Sequence, residues 1–312
     1  MGLSLSPIIP YATLAKLSLM RYSLTMTLSL FHVFILAIIQ GIAELLPVSS
    51  SAHVIFAEKL MGLDPTAPEM TFLLVMLHTG TMFAVIAYFW KSWKTAYFSS
   101  WAAFKTNAIY AIVATAATGV IGLTLLLILK HVFAKGETPF EVEQLFDNKY
   151  IISTGLAASG ILIIISSRFK ETQAGELSTF RAIVIGAVQG LCLPFRGFSR
   201  SGATISTGLS LGVNRSRAEE FSFALAVVLT PVVILKEGYR LFKDQIHAVG
   251  TTPATHFDIH AALLPGLLGM VFSFLAGFLA LRWLSRWLEQ DRWHLFGAYC
   301  LLFSGVVFFF MN

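Results

Sequence analysis

Charged residues are scarce in this chain of 312 residues: they make up 12% of it, whereas 56% of it is hydrophobic. An ordinary soluble domain has about 25% charged residues, and the mean hydropathy here is +0.75. A soluble fold of this length could not bury so much apolar surface, which excludes a water-soluble enzyme. The composition predicts an all-α integral membrane protein.

Cysteine is almost absent as well. Cys192 and Cys300 both lie in apolar runs, so a disulfide-stapled secreted domain is excluded. The 27 phenylalanines and the low charge exclude intrinsic disorder. The net charge is +5, but in a membrane protein we expect the basic residues at the lipid headgroups, and they do not indicate nucleic acid as a partner.

Six apolar segments are long enough, or nearly so, to cross a bilayer, which takes about 20 mostly apolar residues. We therefore predict six transmembrane helices, at Thr71–Trp90, Asn107–Leu129, Tyr150–Ser167, Phe221–Leu235, Ala261–Leu281 and His294–Met311.

Two further apolar stretches are interrupted by polar breaks. Phe31–Leu46 runs into Pro47 and a serine-rich segment, and Ala182–Leu193 runs into Pro194 and a segment rich in glycine, serine and arginine. A short apolar run follows each break. Irregular backbone at membrane depth is tolerated only where protein or a water-filled cavity covers it. The pattern predicts two re-entrant helical hairpins.

The two breaks predict an internal repeat. The pair Gln40-Gly41 opens the first and Gln189-Gly190 the second, 149 residues later. Each hairpin is followed by three spans, so the second copy is inverted relative to the first. We predict one membrane domain, residues 26–312, with repeat halves at about 31–130 and 178–290. Inverted repeats with broken helices are also a transporter architecture, so that alternative stays open.

Residues 1–25 are less apolar and form a predicted N-terminal extension, either a membrane-surface helix or a segment before the true start at Met26. We expect a chain that begins at Met26 to insert and function normally, because the extension brings no chemical group to either hairpin.

Ionisable groups at membrane depth are costly and therefore mark candidate functional sites. The first hairpin carries Glu44 and His53 beside a triple serine, and the second carries Arg196 and Arg200 beside further hydroxyls. The planar donor fork of arginine suits phosphate oxygens, as do backbone N–H groups at a helix start. A serine near a histidine can act as a nucleophile with its base. Together these groups favour phosphoryl transfer on a membrane-anchored substrate.

Packing is the alternative interpretation for each small polar residue, since serine and glycine let membrane helices approach closely. We interpret His78 and Thr79, which lie within a predicted span, as helix-packing groups.

Two motifs resemble those of a known family. Residues 40–53 (QGIAELLPVSSSAH) resemble the first signature, E-G-x-x-E-F-L-P-V-S-S-[ST]-[GA]-H, of the bacterial undecaprenyl-diphosphate phosphatase (bacitracin-resistance) family. Residues 197–205 (GFSRSGATI) resemble its second signature, P-G-x-S-R-S-G-A-T, and residues 219–223 (EEFSF) fit as well. The resemblance covers most of the chain from about Met26 onward.

The resemblance implies a phosphatase in the bacterial cytoplasmic (inner) membrane that converts undecaprenyl diphosphate to undecaprenyl phosphate. This reaction recycles the lipid carrier for peptidoglycan and other cell-wall polymers and confers bacitracin resistance. The active site would face the periplasm, and a divalent cation (Mg²⁺ or Ca²⁺) would be required. The sequence is also compatible with a homo-oligomer. The partners would be the membrane and a long-chain polyprenyl diphosphate.

The same resemblance implies roles for individual residues. The catalytic set is Glu44, Ser50, His53 and Arg200. The phosphate-binding hydroxyls are those of Ser49, Ser199, Ser201 and Thr204, to which we add Gly202 for its backbone N–H at a helix start and Arg196 for its charge. Glu44 and Gln40 are the candidate metal ligands.

Ser50 would be the nucleophile, forming a phosphoserine, with His53 as general base or acid and Glu44 holding the cation or orienting His53. A variant gives the nucleophilic role to His53. Two positions depart from the family pattern: Gln40 stands where the family has its first acidic residue, and Arg196 stands where it has a proline.

Two other functions compete with this interpretation. A lipid-phosphate transporter or flippase would fit the inverted repeat, although transport alone does not require the Glu, Ser and His set. A protein that binds polyprenyl diphosphate without hydrolysing it would fit the loss of a carboxylate at Gln40.

Overall fold

The structure is a computed structural model that describes residues 28–64, 67–133, 148–169, 175–248 and 259–311. The predicted extension, residues 1–25, lies outside the described residues. Within the described ranges the chain forms ten α-helices and no β-strand. They are α1 (Leu30–Leu45), α2 (Ser50–Leu60), α3 (Pro68–Ala96), α4 (Trp101–Phe133), α5 (Lys149–Ser166), α6 (Thr179–Cys192), α7 (Arg200–Ser210), α8 (Arg215–Ala248), α9 (Ile259–Glu289) and α10 (Trp293–Phe310).

Six helices, α3, α4, α5, α8, α9 and α10, are long and apolar enough to cross a membrane, which confirms the six predicted spans. Most extend beyond the predicted bounds. For example, α3 has 29 residues and begins at Pro68, where the fixed φ of proline favours the first helical turn. Helical hydrogen bonding does not stop where the apolar run stops, so hydropathy alone underestimates these lengths.

The two interrupted stretches form pairs of short helices, α1–α2 and α6–α7, as expected of re-entrant hairpins. The first break begins at Leu46, whose backbone is extended at φ −80° and ψ 154°, because a residue before proline disfavours the helical region. The break in the second hairpin covers residues 193–199.

The matching glycines of the two hairpins serve the same purpose. A Cβ atom on Gly41 would lie 2.7 Å from both the Cβ of Ala276 and the carbonyl oxygen of Ser273 on α9. A Cβ atom on Gly190 would lie 2.8 Å from the carbonyl oxygen of Thr118 on α4. Each glycine therefore lets a hairpin helix cross closely against a long helix.

The packing order matches an inverted repeat. Helix α9 packs on α1 while α4 packs on α6, and α5 pairs with α10. Each hairpin is thus covered by the second long helix after the other hairpin. The boundaries of the two halves remain a prediction.

Candidate active site

Glu44 and Ser50 meet across the break of the first hairpin. Glu44 lies in the last turn of α1, and Ser50 is the first residue of α2. The Ser50 hydroxyl donates a hydrogen bond of 2.5 Å to Oε2 of Glu44. The break thus joins a candidate nucleophile directly to a carboxylate.

The backbone of Ser49 makes this approach possible. Its φ is +68°, in a left-handed region that is costly for a residue other than glycine. The chain therefore turns sharply just before α2, and Ser50 points back at the end of α1. Costly backbone of this kind persists where the surrounding structure holds it in place.

Arg200 reaches the same carboxylate from the second hairpin. It is the first residue of α7, and its Nη2 donates to Oε1 of Glu44 at 2.8 Å. The Glu44 side chain is 15% exposed and that of Arg200 is 21% exposed. Nη1 of Arg200 is buried and has no hydrogen-bond partner among the described residues. One arm of the guanidinium thus holds Glu44, and the other remains available to an anionic ligand.

Gln40 and His78 complete the surroundings of Glu44. Nε2 of Gln40 donates to Oε2 of Glu44 at 3.2 Å. Nε2 of His78, on α3, lies 3.8 Å from the same oxygen, while Nδ1 of His78 is 2.9 Å from the Leu74 carbonyl oxygen. The sequence interpretation of His78 as a helix-packing group does not include its contact with Glu44. His78 is an ionisable group at membrane depth, which is the signal that identified Glu44 and His53 as candidate site residues, and the same signal applies to His78. The Thr79 hydroxyl, by contrast, donates to the carbonyl oxygen of Val75, one turn earlier in its own helix.

His53 forms its hydrogen bonds with other partners. Its Nδ1 is 2.8 Å from the carbonyl oxygen of Ser49, and its Nε2 is 2.7 Å from the hydroxyl of Tyr299 on α10. Its described hydrogen bonds therefore go to Ser49 and Tyr299, and Glu44 bonds Ser50 instead of orienting His53. Sequence reasoning did not identify Tyr299.

The hydroxyls of the second hairpin hold the two hairpins in place. Ser199 caps α7 by accepting from the backbone N–H of Gly202, and Ser201 donates to the Leu46 carbonyl oxygen in the first hairpin. Thr204 donates to the Arg200 carbonyl oxygen at 2.8 Å. These bonds fix Arg200 against Glu44, and direct phosphate binding by these hydroxyls stays a prediction.

The hairpin tips also touch at Gly202, where a Cβ atom would lie 3.1 Å from the Pro47 carbonyl oxygen. The serines pair in the same way in both breaks: the hydroxyl oxygens of Ser49 and Ser51 are 3.4 Å apart, as are those of Ser199 and Ser201.

The guanidinium of Arg196 interacts electrostatically with Glu58 of α2. Glu58 is buried, so the positive charge of Arg196 partly compensates an otherwise costly carboxylate. A contribution of Arg196 to phosphate binding stays a prediction.

Residues 219–223, the third stretch that fits the family, form contacts that support the helices around the site. Glu219 accepts a 2.6 Å hydrogen bond from Ser285 of α9, and Glu220 pairs with Arg217 at 3.3 Å. The hydroxyls of Ser222 and Thr204 are 2.6 Å apart. Ser222 therefore links α8 to the helix that carries Arg200.

A metal ion at this site would rest on few protein ligands. Among the described residues there is no group of three or more His, Cys, Asp and Glu side chains placed to hold an ion. The available oxygens belong to Glu44, to Gln40 and to the serine hydroxyls. These are hard donors that suit Mg²⁺ or Ca²⁺ when substrate oxygens supply the remaining ligands.

The fold and the site together define a class of protein. Among the described residues, six helices are long and apolar enough to span a membrane, and two helical hairpins bring a serine, a carboxylate and an arginine together. This is an integral membrane protein with a site suited to phosphoryl transfer.

Comparison with known proteins specifies the class further. Residues 33–306 match the model of the family described as bacitracin resistance protein BacA. The chain is 66% identical over 280 residues to undecaprenyl-diphosphatase 2 of Acinetobacter baylyi, covering 90% of this chain and 97% of that protein. It is 31% identical over 296 residues to undecaprenyl-diphosphatase 2 of Burkholderia ambifaria, covering 90% and 96%. The chain belongs to the BacA family, as its two motifs predict.

Proposed function

We propose that this protein is a multi-pass membrane phosphatase that hydrolyses undecaprenyl diphosphate to undecaprenyl phosphate and inorganic phosphate. The observation that carries the proposal is the contact of Ser50 and Arg200 with the two oxygens of one carboxylate, Glu44. The named activity of the relatives is the same hydrolysis.

Ser50 is the nucleophile in this mechanism. Glu44 takes the proton from the Ser50 hydroxyl as its oxygen attacks the terminal phosphorus. The bond between that phosphorus and the bridging oxygen breaks, undecaprenyl phosphate leaves, and a phosphoserine remains. Attack of water on the phosphoserine then releases phosphate and restores Ser50. The 2.5 Å hydrogen bond between Ser50 and Glu44 supports Ser50 over His53 as the nucleophile.

Arg200 stabilises the charge that develops on the transferred phosphoryl group. Its Nη2 stays on Glu44 while Nη1, buried without a partner among the described residues, donates to a phosphoryl oxygen. A donor fixed before the reaction needs no reorganisation when the charge appears.

A divalent cation, Mg²⁺ or Ca²⁺, would be held by Glu44 and by the amide oxygen of Gln40 and would neutralise charge on the diphosphate. Since only one of these two ligands is anionic, we propose that the dependence on the cation is weak.

We place the protein in the bacterial cytoplasmic membrane with its site open to the periplasm, where it returns the lipid carrier to cell-wall synthesis and confers bacitracin resistance. A homo-oligomer is compatible with this proposal.

Phosphate release from a long-chain polyprenyl diphosphate by the purified protein in detergent tests the function. We expect release by the wild type, loss in Ser50→Ala, and wild-type rates in the control Ser167→Ala, since the Ser167 hydroxyl donates to the Ile164 carbonyl oxygen at the C-terminal end of α5. Phosphate release in detergent identifies an enzyme, because a transporter would not hydrolyse the lipid. Absence of release, combined with lipid transfer between leaflets of a vesicle, would instead support a transporter.

A further inference from the structure

Tyr299 of α10 contacts His53 of α2 although 246 residues separate them. Its hydroxyl oxygen is 2.7 Å from Nε2 of His53, and the two rings lie nearly parallel, with centroids 5.6 Å apart. Phe303, one turn further along α10, stacks on the same imidazole at 4.0 Å. The imidazole is therefore held on one face by Phe303 and at one edge by a hydroxyl.

The hydrogen bonds fix which nitrogen of His53 carries the proton. Nδ1 lies 2.8 Å from the carbonyl oxygen of Ser49, and a carbonyl can only accept, so Nδ1 donates. In the neutral ring Nε2 then has a lone pair and accepts from the Tyr299 hydroxyl. Tyr299 thereby favours a single tautomer and a single orientation of the ring.

A chain of contacts connects Tyr299 to the nucleophile. The Tyr299 hydroxyl bonds His53, and His53 bonds the carbonyl oxygen of Ser49. The left-handed backbone of Ser49 in turn directs Ser50 toward Glu44. A residue in this conformation needs support from its surroundings. The hydrogen bond from Tyr299 and the ring contact of Phe303 supply this support from outside the hairpin.

We propose that Tyr299 is a positioning residue of the active site, which acts through His53 to keep Ser50 aligned with Glu44. The inference rests on the proposed function for its kinetic consequence, but its structural consequence for His53 is independent of turnover. Alignment is needed for the chemical step more than for lipid binding, so its loss lowers kcat and leaves KM in place.

Tyr299→Phe isolates the hydroxyl. The side chain is 44% exposed, so the variant keeps the ring and creates no buried cavity. Tyr150→Phe is the matched control. Tyr150 lies on α5, is also exposed, and its ring contacts Phe308 of α10, the helix that carries Tyr299. Both variants are compared with the wild type as full-length protein in detergent.

The measurements are kcat and KM for a long-chain polyprenyl diphosphate, the Tm, and the ¹⁵N NMR shifts of the histidine ring nitrogens, with the His53 signals assigned by their loss in His53→Gln. We expect Tyr299→Phe to lower kcat about tenfold, as for loss of one aligning hydrogen bond, with KM and Tm unchanged. We expect the Nε2 shift of His53 to change in Tyr299→Phe, because this nitrogen loses the hydrogen bond that it accepts, whereas Tyr150→Phe matches the wild type.

An unchanged kcat in Tyr299→Phe would overturn the positioning role. Unchanged His53 shifts would also overturn it, even with a lower kcat, because Tyr299 would then act by another route. If the wild type itself released no phosphate, the proposed function would fail, and the NMR comparison would still decide whether Tyr299 fixes the His53 ring.

Discussion

The hydroxyl of Ser50 donates a 2.5 Å hydrogen bond to Oε2 of Glu44 from the opposite side of the break in the first hairpin. The partner of the nucleophile is thus a carboxylate, and the imidazole of His53 bonds elsewhere. The role of general base therefore passes from His53, where the motif alone placed it, to Glu44 in the proposed mechanism.

Replacing Glu44 with glutamine tests this role. The amide is nearly isosteric and still faces Ser50, but it cannot take a proton, so we expect kcat to fall by about 10²–10⁴, the usual contribution of a general base. The measurement is steady-state phosphate release at saturating lipid. Glu69→Gln, at an exposed position in the first turn of α3, should behave as the wild type. A Glu44→Gln enzyme within about threefold of the wild type, a much smaller change than loss of a general base gives, would rule out Glu44 as the base.

A second prediction concerns Arg200, whose Nη2 bonds Glu44 and whose Nη1 binds a phosphoryl oxygen in the proposed mechanism. We expect Arg200→Ala to lose nearly all turnover and Arg200→Lys to recover little, since a point charge does not replace a planar fork that holds Glu44 and a phosphoryl oxygen at once. Loss of one such contact costs about 3–4 kcal/mol, or roughly 10²–10³ in rate. The exposed Arg286 provides the control, Arg286→Lys. Wild-type activity in Arg200→Lys would contradict the clamping role.

Much of this site could be predicted because its residues interrupt apolar runs. Glu44, Ser50 and Arg200 lie at breaks in these runs. Charged groups are costly at membrane depth, so their presence there indicates a functional site. The six spans followed from hydropathy, and the family followed from two motifs. Gly41 and Gly190 were visible as markers of a repeat, although their packing partners were not.

What could not be predicted depends on contacts between distant segments. Tyr299 lies in an ordinary apolar span, where a tyrosine carries no signal until α10 is placed beside α2. His78 carried a signal, but its spacing fits helix packing equally well, and only the crossing of α3 brings it within 3.8 Å of Glu44. The electrostatic interaction of Arg196 with Glu58 likewise depends on how the two hairpins are placed.

The two hairpin glycines predict a matched loss of stability. A methyl group at Gly41 or Gly190 would lie within 2.8 Å of backbone on α9 or α4, so the helices would have to separate. We expect Gly41→Ala and Gly190→Ala each to destabilise the protein by about 1–3 kcal/mol, measured as a lower Tm in detergent.

Gly119→Ala and Gly305→Ala are the controls, because a Cβ atom at either position meets nothing within 4 Å. In a helix this change stabilises by about 0.5–1 kcal/mol, so their Tm should stay the same or rise. Equal Tm changes in all four variants would contradict the close-packing explanation.

Gln40 provides the last prediction, which concerns the metal ion. Its amide donates to Glu44 at 3.2 Å, and a glutamate in its place would bring two carboxylates together. Like charges at this distance repel unless a proton or a cation lies between them, and hard cations favour anionic oxygens. We therefore expect Gln40→Glu to bind Mg²⁺ or Ca²⁺ more tightly than the wild type and to depend on it more strongly for activity.

A chelator titration of phosphate release, paired with calorimetric titration of the ion, measures both effects. The wild type should keep residual activity in excess chelator, whereas Gln40→Glu should lose it and regain it as metal is restored. The variant Arg196→Pro tests the second position that departs from the family pattern. If the charge of Arg196 supplies part of the neutralisation that a cation would give, this variant also loses the residual activity. If Arg196 serves only Glu58, the variant keeps the residual activity of the wild type. Complete inactivation of the wild type by chelator, with rescue at the same metal concentration as Gln40→Glu, would show that the amide at position 40 leaves the metal requirement intact.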